Sequence, residues 1–117
     1  MLSIVSHHQP IIDTNEISRV REKHKDRVPC IVQIKGKNTP TLTKSKYLVP
    51  LDLTFGQFIQ IVRKYFSKEL SSTDGLFWFI NNEIITPSKL MSQIDKEYSK
   101  DGALYIQVSV ENTFGTL

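Results

Sequence analysis

The side chains best suited to chemistry are few and do not form a cluster. Cys30 is the single cysteine of the 117-residue chain, and it falls on the strand face that we expect to point into the core, where a thiol behaves as a small hydrophobic group. The histidines are His7, His8 and His24, and the side chains of the first two point apart on any helix or strand, so they make a poor metal pair. The chain has no glycine-rich phosphate loop and no nucleophile elbow. We therefore expect no catalytic residue, no metal site and no enzyme activity.

The charge of the chain is unevenly distributed. The net charge is +3, but the segment 21–46 holds eight basic and two acidic residues, which gives it +6 and leaves −3 for the rest. A basic face suits an anionic partner such as nucleic acid, lipid head groups or an acidic peptide, and a merely solvated face is an equally simple interpretation. Because no aromatic residue interleaves with these cations, we do not expect nucleic acid as a partner.

Composition limits the class of protein. The length suits one domain, and 39% hydrophobic with 23% charged residues is ordinary for a soluble globular protein. A lone cysteine allows no intramolecular disulfide. The longest apolar run, 76–80, has five residues, whereas a membrane helix needs about 20. We expect a cytoplasmic monomer without a cofactor.

The hydrophobic periodicity predicts a helix followed by the order β-β-α-β-α-β. The predicted elements are, in order, a helix from Asp13 to His24, a hairpin of Val28–Lys35 and Lys46–Leu51, a helix from Thr54 to Phe66, a strand Leu76–Ile80, a short Glu83–Ile85 segment, a helix from Ser88 to Lys100 and a strand Ala103–Val110. This is the order of an α+β β-grasp fold, in which a central helix crosses one face of a sheet. We divide the chain into an N-terminal helical arm packed on the domain (1–27), the core (28–111) and a flexible tail (112–117).

The hairpin carries more apolar residues than one core face requires. Leu48 lies on the second strand opposite the core-facing positions, and Pro29 and Ile31 show the same excess on the first strand. One interpretation is that the N-terminal helix covers this surface through Ile17 and Val20. The other is that a short edge strand flanked by apolar hollows and lysines accepts an extended peptide by β-augmentation.

Several short motifs together resemble the autophagy ubiquitin-like modifiers, whose animal members include the GABA-receptor-associated protein and the microtubule-associated protein light chains. The motifs are Asp26-Arg27-Val28-Pro29, Lys46-Tyr47-Leu48-Val49-Pro50, Gly56-Gln57-Phe58, Phe79-Ile80-Asn81-Asn82, Leu104-Tyr105-Ile106 and Phe114-Gly115. They occur in order over about residues 13–117, with one short length difference in the 36–43 loop. The resemblance implies a ubiquitin-like β-grasp with a mixed four-stranded sheet and an N-terminal helical extension.

The resemblance also implies a role for the tail. In the family, a cysteine protease trims the chain after the glycine that matches Gly115, and activating and conjugating enzymes join its carboxylate to phosphatidylethanolamine. Glycine suits this step because, lacking a Cβ, it can thread a narrow cleft, and Thr116-Leu117 would be discarded. The lipid adds two acyl chains, enough to anchor a soluble protein. The implied localisation is cytoplasmic, with a lipid-conjugated pool on autophagosomal membranes.

The family binds peptides of the form aromatic-x-x-aliphatic, often preceded by acidic residues, in two pockets. The aromatic pocket corresponds to Glu16, Val20, Pro29, Ile31, Lys46 and Leu48. The aliphatic pocket corresponds to Arg27, Tyr47, Val49, Pro50, Leu53, Phe58, Ile61, Val62 and Arg63. Two positions depart from the family pattern: Ala103 stands where a phenylalanine is usual in the aromatic pocket, and Tyr65 replaces a basic residue.

One alternative remains open from the sequence. The chain would then be a non-conjugated ubiquitin-fold adaptor or cytoskeleton-associated protein that uses its basic face, with an inert tail.

Overall fold

The computed structural model of the chain describes residues 14–36, 41–67 and 74–112. Within these ranges the elements are α1 (Thr14–Lys23), β1 (Arg27–Lys35), β2 (Lys46–Pro50), α2 (Phe55–Arg63), β3 (Asp74–Ile80), β4 (Glu83–Ile84), α3 (Met91–Tyr98) and β5 (Leu104–Asn112). None of these helices is long and apolar enough to cross a lipid bilayer.

The strands form one mixed sheet in the order β2-β1-β5-β3-β4. Its centre is a parallel pair of β1 and β5, and the other neighbours are antiparallel. The predicted β-grasp order is confirmed, but the predicted count of four strands is wrong by one. Asn81 and Asn82 adopt positive φ angles of 53° and 65°, which suits a two-residue hairpin turn. After this turn Glu83 pairs with Ile80, and the short strand β4 is the additional one.

Helix α2 begins where the sequence predicted and ends earlier. Thr54 caps it. Its hydroxyl accepts a hydrogen bond from the main-chain N–H of Gln57 (3.2 Å), and the side-chain oxygen of Gln57 accepts one from the main-chain N–H of Thr54 (2.9 Å). The two bonds form a reciprocal capping box. The helix ends at Arg63 rather than at Phe66. Lys64 N–H and Tyr65 N–H donate to the carbonyls of Ile61 and Val62, three residues back, which forms a tighter turn. Phe66 then forms a bridge to Leu42.

Helix α3 begins three residues after the predicted Ser88. Leu90 occupies the N-cap position and has no side-chain oxygen, so the free amides at the helix start need other acceptors. The connection before α2 supplies them: Met91 N–H donates to the Leu53 carbonyl (2.7 Å) and Ser92 N–H to the Leu51 carbonyl (3.0 Å). A tertiary contact therefore sets this boundary.

The two faces of the sheet are packed differently. The face under α2 and α3 carries the main cluster, which includes Cys30 and the fully buried Phe55, Phe58 and Val62. On the other face, Ile17 of α1 packs on Ile31 and Ala103, with Tyr105 beside them. This split confirms the alternation predicted for β1.

Candidate functional site

An open cavity of about 340 Å³ lies between α1 and the β1–β2 hairpin. Glu16 and Val20 lie four residues apart on α1 and therefore on one helix face. On the hairpin, Pro29 pairs with Leu48 and Ile31 with Lys46. The described residues that line it are Glu16, Ile17, Val20, Pro29, Lys44, Lys46, Tyr47 and Leu48.

This cavity coincides with the predicted aromatic pocket. Five of its six predicted residues line the cavity, and the sixth, Ile31, lies in the packed layer next to it with 1% of its surface exposed. The prediction missed Ile17 and Lys44, and it placed Tyr47 in the other pocket. Periodicity could have found two of these, because Ile17 lies three residues before Val20 on the helix and Lys44 two residues before Lys46. Binding of an aromatic side chain here stays a prediction.

Ile17 forms the floor of the cavity. It lies next to Ala103, one of the two positions at which the sequence departs from the family pattern. It is 3% exposed and packs against Ala103, which is fully buried. Gly102 has φ +86°, and a Cβ there would lie 3.0 Å from the Ile17 Cγ2 atom. The small residues at 102 and 103 therefore let α1 approach the sheet closely, with the isoleucine filling the space.

The cavity rim is charged and partly pre-ordered. Glu16 is half-buried, as is Lys46, whereas Lys44 is exposed. The Tyr47 hydroxyl donates to the Lys44 carbonyl at 2.6 Å. Burial, with Tyr65 nearby, raises the pKa of Tyr47, so its hydroxyl stays protonated and keeps this bond at physiological pH.

Strand β2 lies at one edge of the sheet. Among the described residues its only strand partner is β1. An edge strand presents main-chain groups that can pair with another extended chain. The cavity and this edge are adjacent, since Lys46 and Leu48 belong to both.

The nine residues predicted for the aliphatic pocket divide into two groups. Four are in the main core cluster with at most 7% of their surface exposed: Tyr47, Val49, Phe58 and Val62. The other five have accessible surface, with Pro50 and Leu53 half-buried and Arg27, Ile61 and Arg63 exposed. The cause is the alternation of β2, which turns positions 47 and 49 toward α2. The second group offers open surface to a ligand, whereas Tyr47 of the first group lines the cavity beside α1 instead, and the aliphatic pocket stays a prediction.

The candidate nucleophile is buried as predicted. Cys30 is 1% exposed, and its pKa is raised, mainly by burial and also by the charge of Asp95. The thiol therefore stays protonated and out of reach, which agrees with a role in packing. Among the residues that the structure describes, no three histidine, cysteine or acidic side chains are grouped to hold a metal ion. His7, His8 and Gly115 lie outside the described residues.

The fold and the cavity define a class of protein: a ubiquitin-like β-grasp with a helix added on the open face of its sheet. Solved structures agree with this class. Trypanosoma brucei ATG8 superimposes with a TM-score of 0.73 at 36% identity, covering 87% of this chain and 88% of that one. Plasmodium falciparum Atg8, solved in complex with a Plasmodium falciparum Atg3 peptide, gives 0.70 at 26% identity, covering 82% and 85%.

Sequence comparison identifies the family. The family model described as "Autophagy protein Atg8 ubiquitin like" matches residues 13–115. Autophagy-related protein 8a of Arabidopsis thaliana is 46% identical over 105 residues, covering 88% of this chain and 84% of the relative. Autophagy-related protein 8A of Oryza sativa subsp. indica is 46% identical over 103 residues, covering 86% and 85%. The chain belongs to the Atg8 family of ubiquitin-like autophagy proteins.

Proposed function

We propose that this chain is trimmed after Gly115, conjugated to phosphatidylethanolamine, and recruits cargo receptors and autophagy machinery that carry aromatic-x-x-aliphatic motifs. The observation that carries the peptide-binding part is the cavity between α1 and the hairpin, which brings together five residues distant in sequence. We also propose that the chain shares this surface with the animal GABA-receptor-associated and light-chain types that its motifs resemble.

The cavity suits an aromatic side chain in size and chemistry. Its volume of about 340 Å³ falls in the range of small-molecule sites, and Ile17, Val20 and Leu48 give it apolar walls. Burying an aromatic side chain of about 150–250 Å² at about 25 cal/mol per Å² contributes roughly 4–6 kcal/mol before ordering costs. Lys44 and Lys46 would attract acidic flanking residues and raise the association rate.

The edge of β2 supports an extended conformation of the bound peptide. A strand added there would pair its main chain with β2 and place alternate side chains toward the cavity. The aliphatic residue would then fall farther along the surface, toward Pro50, Leu53 and Ile61. In this arrangement the main-chain pairing would contribute affinity whatever the peptide sequence, and the side-chain hollows would select which residues bind.

Titration calorimetry with a synthetic Trp-x-x-Leu peptide tests the site. Leu48→Ala should abolish measurable binding because it removes an apolar wall, and Lys46→Glu should do the same by reversing a rim charge. Leu90→Ala is the matched control, since Leu90 is 39% exposed and lies at the start of α3. Wild-type affinity in Leu48→Ala would reject the assigned pocket.

Conjugation is tested separately in starved cells. Gly115→Ala should block both tail removal and membrane association, whereas Leu117→Ala, a change within the discarded tail, should leave both intact. Fluorescently tagged Gly115→Ala protein that still gathers on puncta at the wild-type level would overturn the conjugation proposal. The Plasmodium complex with an Atg3 peptide supports a conjugating enzyme as a partner.

The alternative function is an adaptor or cytoskeleton-associated protein that is never conjugated. Mass spectrometry of the protein from cells separates the two. A C-terminus at Gly115 or a phosphatidylethanolamine adduct supports conjugation, and an intact Leu117 in all molecules supports the adaptor. We propose no catalytic role for this chain, and a thiol reagent should react with Cys30 only after unfolding because the native thiol is buried.

A further inference from the structure

The Lys44 ammonium is held over two aromatic rings at the cavity rim. Its Nζ lies 5.1 Å from the centroid of the Tyr47 ring and 5.2 Å from that of the Tyr65 ring. The two rings meet edge to face with centroids 5.8 Å apart. Both distances are within the roughly 6 Å range of a cation–π interaction, so the position of this charge is determined by two side chains.

The main chain at Lys44 is fixed as well. The Tyr47 hydroxyl donates to the Lys44 carbonyl. One residue earlier, Thr43 donates from its amide and its hydroxyl to the Tyr65 carbonyl, at 2.7 and 3.0 Å. The segment before β2 is thus attached to the turn after α2, and the main chain and the head group of Lys44 are both restrained.

This restraint leaves the charge available. Among the described residues no carboxylate lies within 4.0 Å of the Lys44 ammonium. The rings attract the cation through their quadrupoles and do not neutralise it. A lysine normally loses much rotamer freedom when it binds an anion, and here part of that loss has already occurred in the free protein.

We propose that Tyr65 is a positioning residue that acts through Lys44 to make the cavity prefer peptides with carboxylates directly before the aromatic residue. This inference rests on the proposed peptide-binding function. Lys46 also faces the cavity, so removing Tyr65 reduces the preference and does not abolish it.

The test compares two synthetic Trp-x-x-Leu peptides, one preceded by three glutamates and the other by three glutamines. Calorimetry gives the ratio of the two affinities for wild type, Tyr65→Leu, Tyr65→Phe, Lys44→Gln and the double variant Lys44→Gln/Tyr65→Leu. Lys96→Gln, the same charge change on α3, is the matched control. The leucine keeps apolar packing but has no ring, and the phenylalanine keeps the ring face.

We expect Tyr65→Leu to lower the preference for the glutamate peptide by about two- to fivefold, the magnitude of an exposed cation–π pair, with little change for the glutamine peptide. Tyr65→Phe should retain the preference. The double variant should be no worse than Lys44→Gln alone, because the ring acts only through that lysine.

The failures of the two proposals are distinguishable. Wild-type protein that binds neither peptide overturns the peptide-binding function and the inference with it. Binding of both peptides with an unchanged ratio in Tyr65→Leu overturns the inference alone. Equal losses for both peptides in Tyr65→Leu also overturn it, since they show a purely structural role.

Discussion

The two faces of the sheet are built from the same strands but end up closed to different degrees. Among the described residues, the cluster between the sheet and α2 and α3 has seventeen buried members, whereas the cluster under α1 has three. Two helices, α2 and α3, cover the first face and bury the larger cluster. One ten-residue helix cannot seal the second, so an apolar cavity remains beside it.

Because of this difference, we expect one face to provide stability and the other to provide binding. The first face gains most of the apolar burial and therefore most of the stability. The open face keeps apolar surface and cations where another chain can reach them. Substitutions on the first face should therefore change stability, and substitutions on the second should change binding.

The largest loss of stability is expected from a substitution in the core on the face under α2 and α3. Phe58→Ala should lower the free energy of unfolding by about 3–5 kcal/mol, because Phe58 is fully buried and its removal leaves a cavity. Urea unfolding with an unchanged m-value measures the loss. Phe58→Leu should lose less, roughly 1.5 kcal/mol. A loss below about 1 kcal/mol in the alanine variant would contradict the assignment of this face as the main source of stability.

A smaller loss of stability is expected from breaking the ion pair that links α1 to α3. Arg21 pairs with Asp95 of α3 at 2.7 Å and donates to the Arg27 carbonyl at 3.2 Å. Asp95 Oδ1 is buried and has no hydrogen-bond partner among the described residues, so Arg21→Ala leaves a poorly compensated carboxylate. We expect a loss of about 1–2 kcal/mol, discounted because the arginine side chain is 31% exposed.

The Arg21 effect has its own control. Lys23→Ala, an exposed change in the same helix, should alter stability by less than about 0.5 kcal/mol. In a double-mutant cycle, the loss in Arg21→Ala/Asp95→Ala should be smaller than the sum of the single losses. Additive losses would show that the pair does not tie α1 to α3.

The cap of α2 should contribute less again. Thr54→Ala removes the hydroxyl that accepts the Gln57 amide hydrogen and should lower stability by about 1 kcal/mol. Thr54→Ser keeps the hydroxyl and should stay close to wild type. Equal losses in the two variants, measured by thermal unfolding, would attribute the effect to the threonine methyl group instead.

The smallest stability effect is expected on the open face. Leu48→Ala should lower stability by less than about 1 kcal/mol, because Leu48 is only half-buried, while it removes peptide binding. The same protein preparation should be used for urea unfolding and calorimetry. A stability loss as large as that of Phe58→Ala would abolish the distinction between the two faces.

Much of the fold could be predicted from local patterns. The alternation in 28–35 indicated which side chains face the main core and which face α1, and Thr54 with Gln57 marked the start of α2. The end of α2 and the start of α3 were missed because long-range contacts determine them: Phe66 pairs with Leu42, and the Leu53 carbonyl accepts from Met91. Strand β4 was predicted only as the short Glu83–Ile85 segment and not counted as a strand, because two residues carry no periodicity.

The sequence by itself determined the β-grasp order and five of the eight residues that line the cavity. The periods of 2 and 3.6 residues determined the element order because they decide which faces are apolar. The cavity residues were implied by the resemblance of the motifs to one family. Only the tertiary structure decided that Ile17 rather than residue 103 forms the cavity floor, and that Lys44 lies over Tyr47 and Tyr65. Those contacts join residues from separate elements, and their distances depend on how closely the helices approach the sheet.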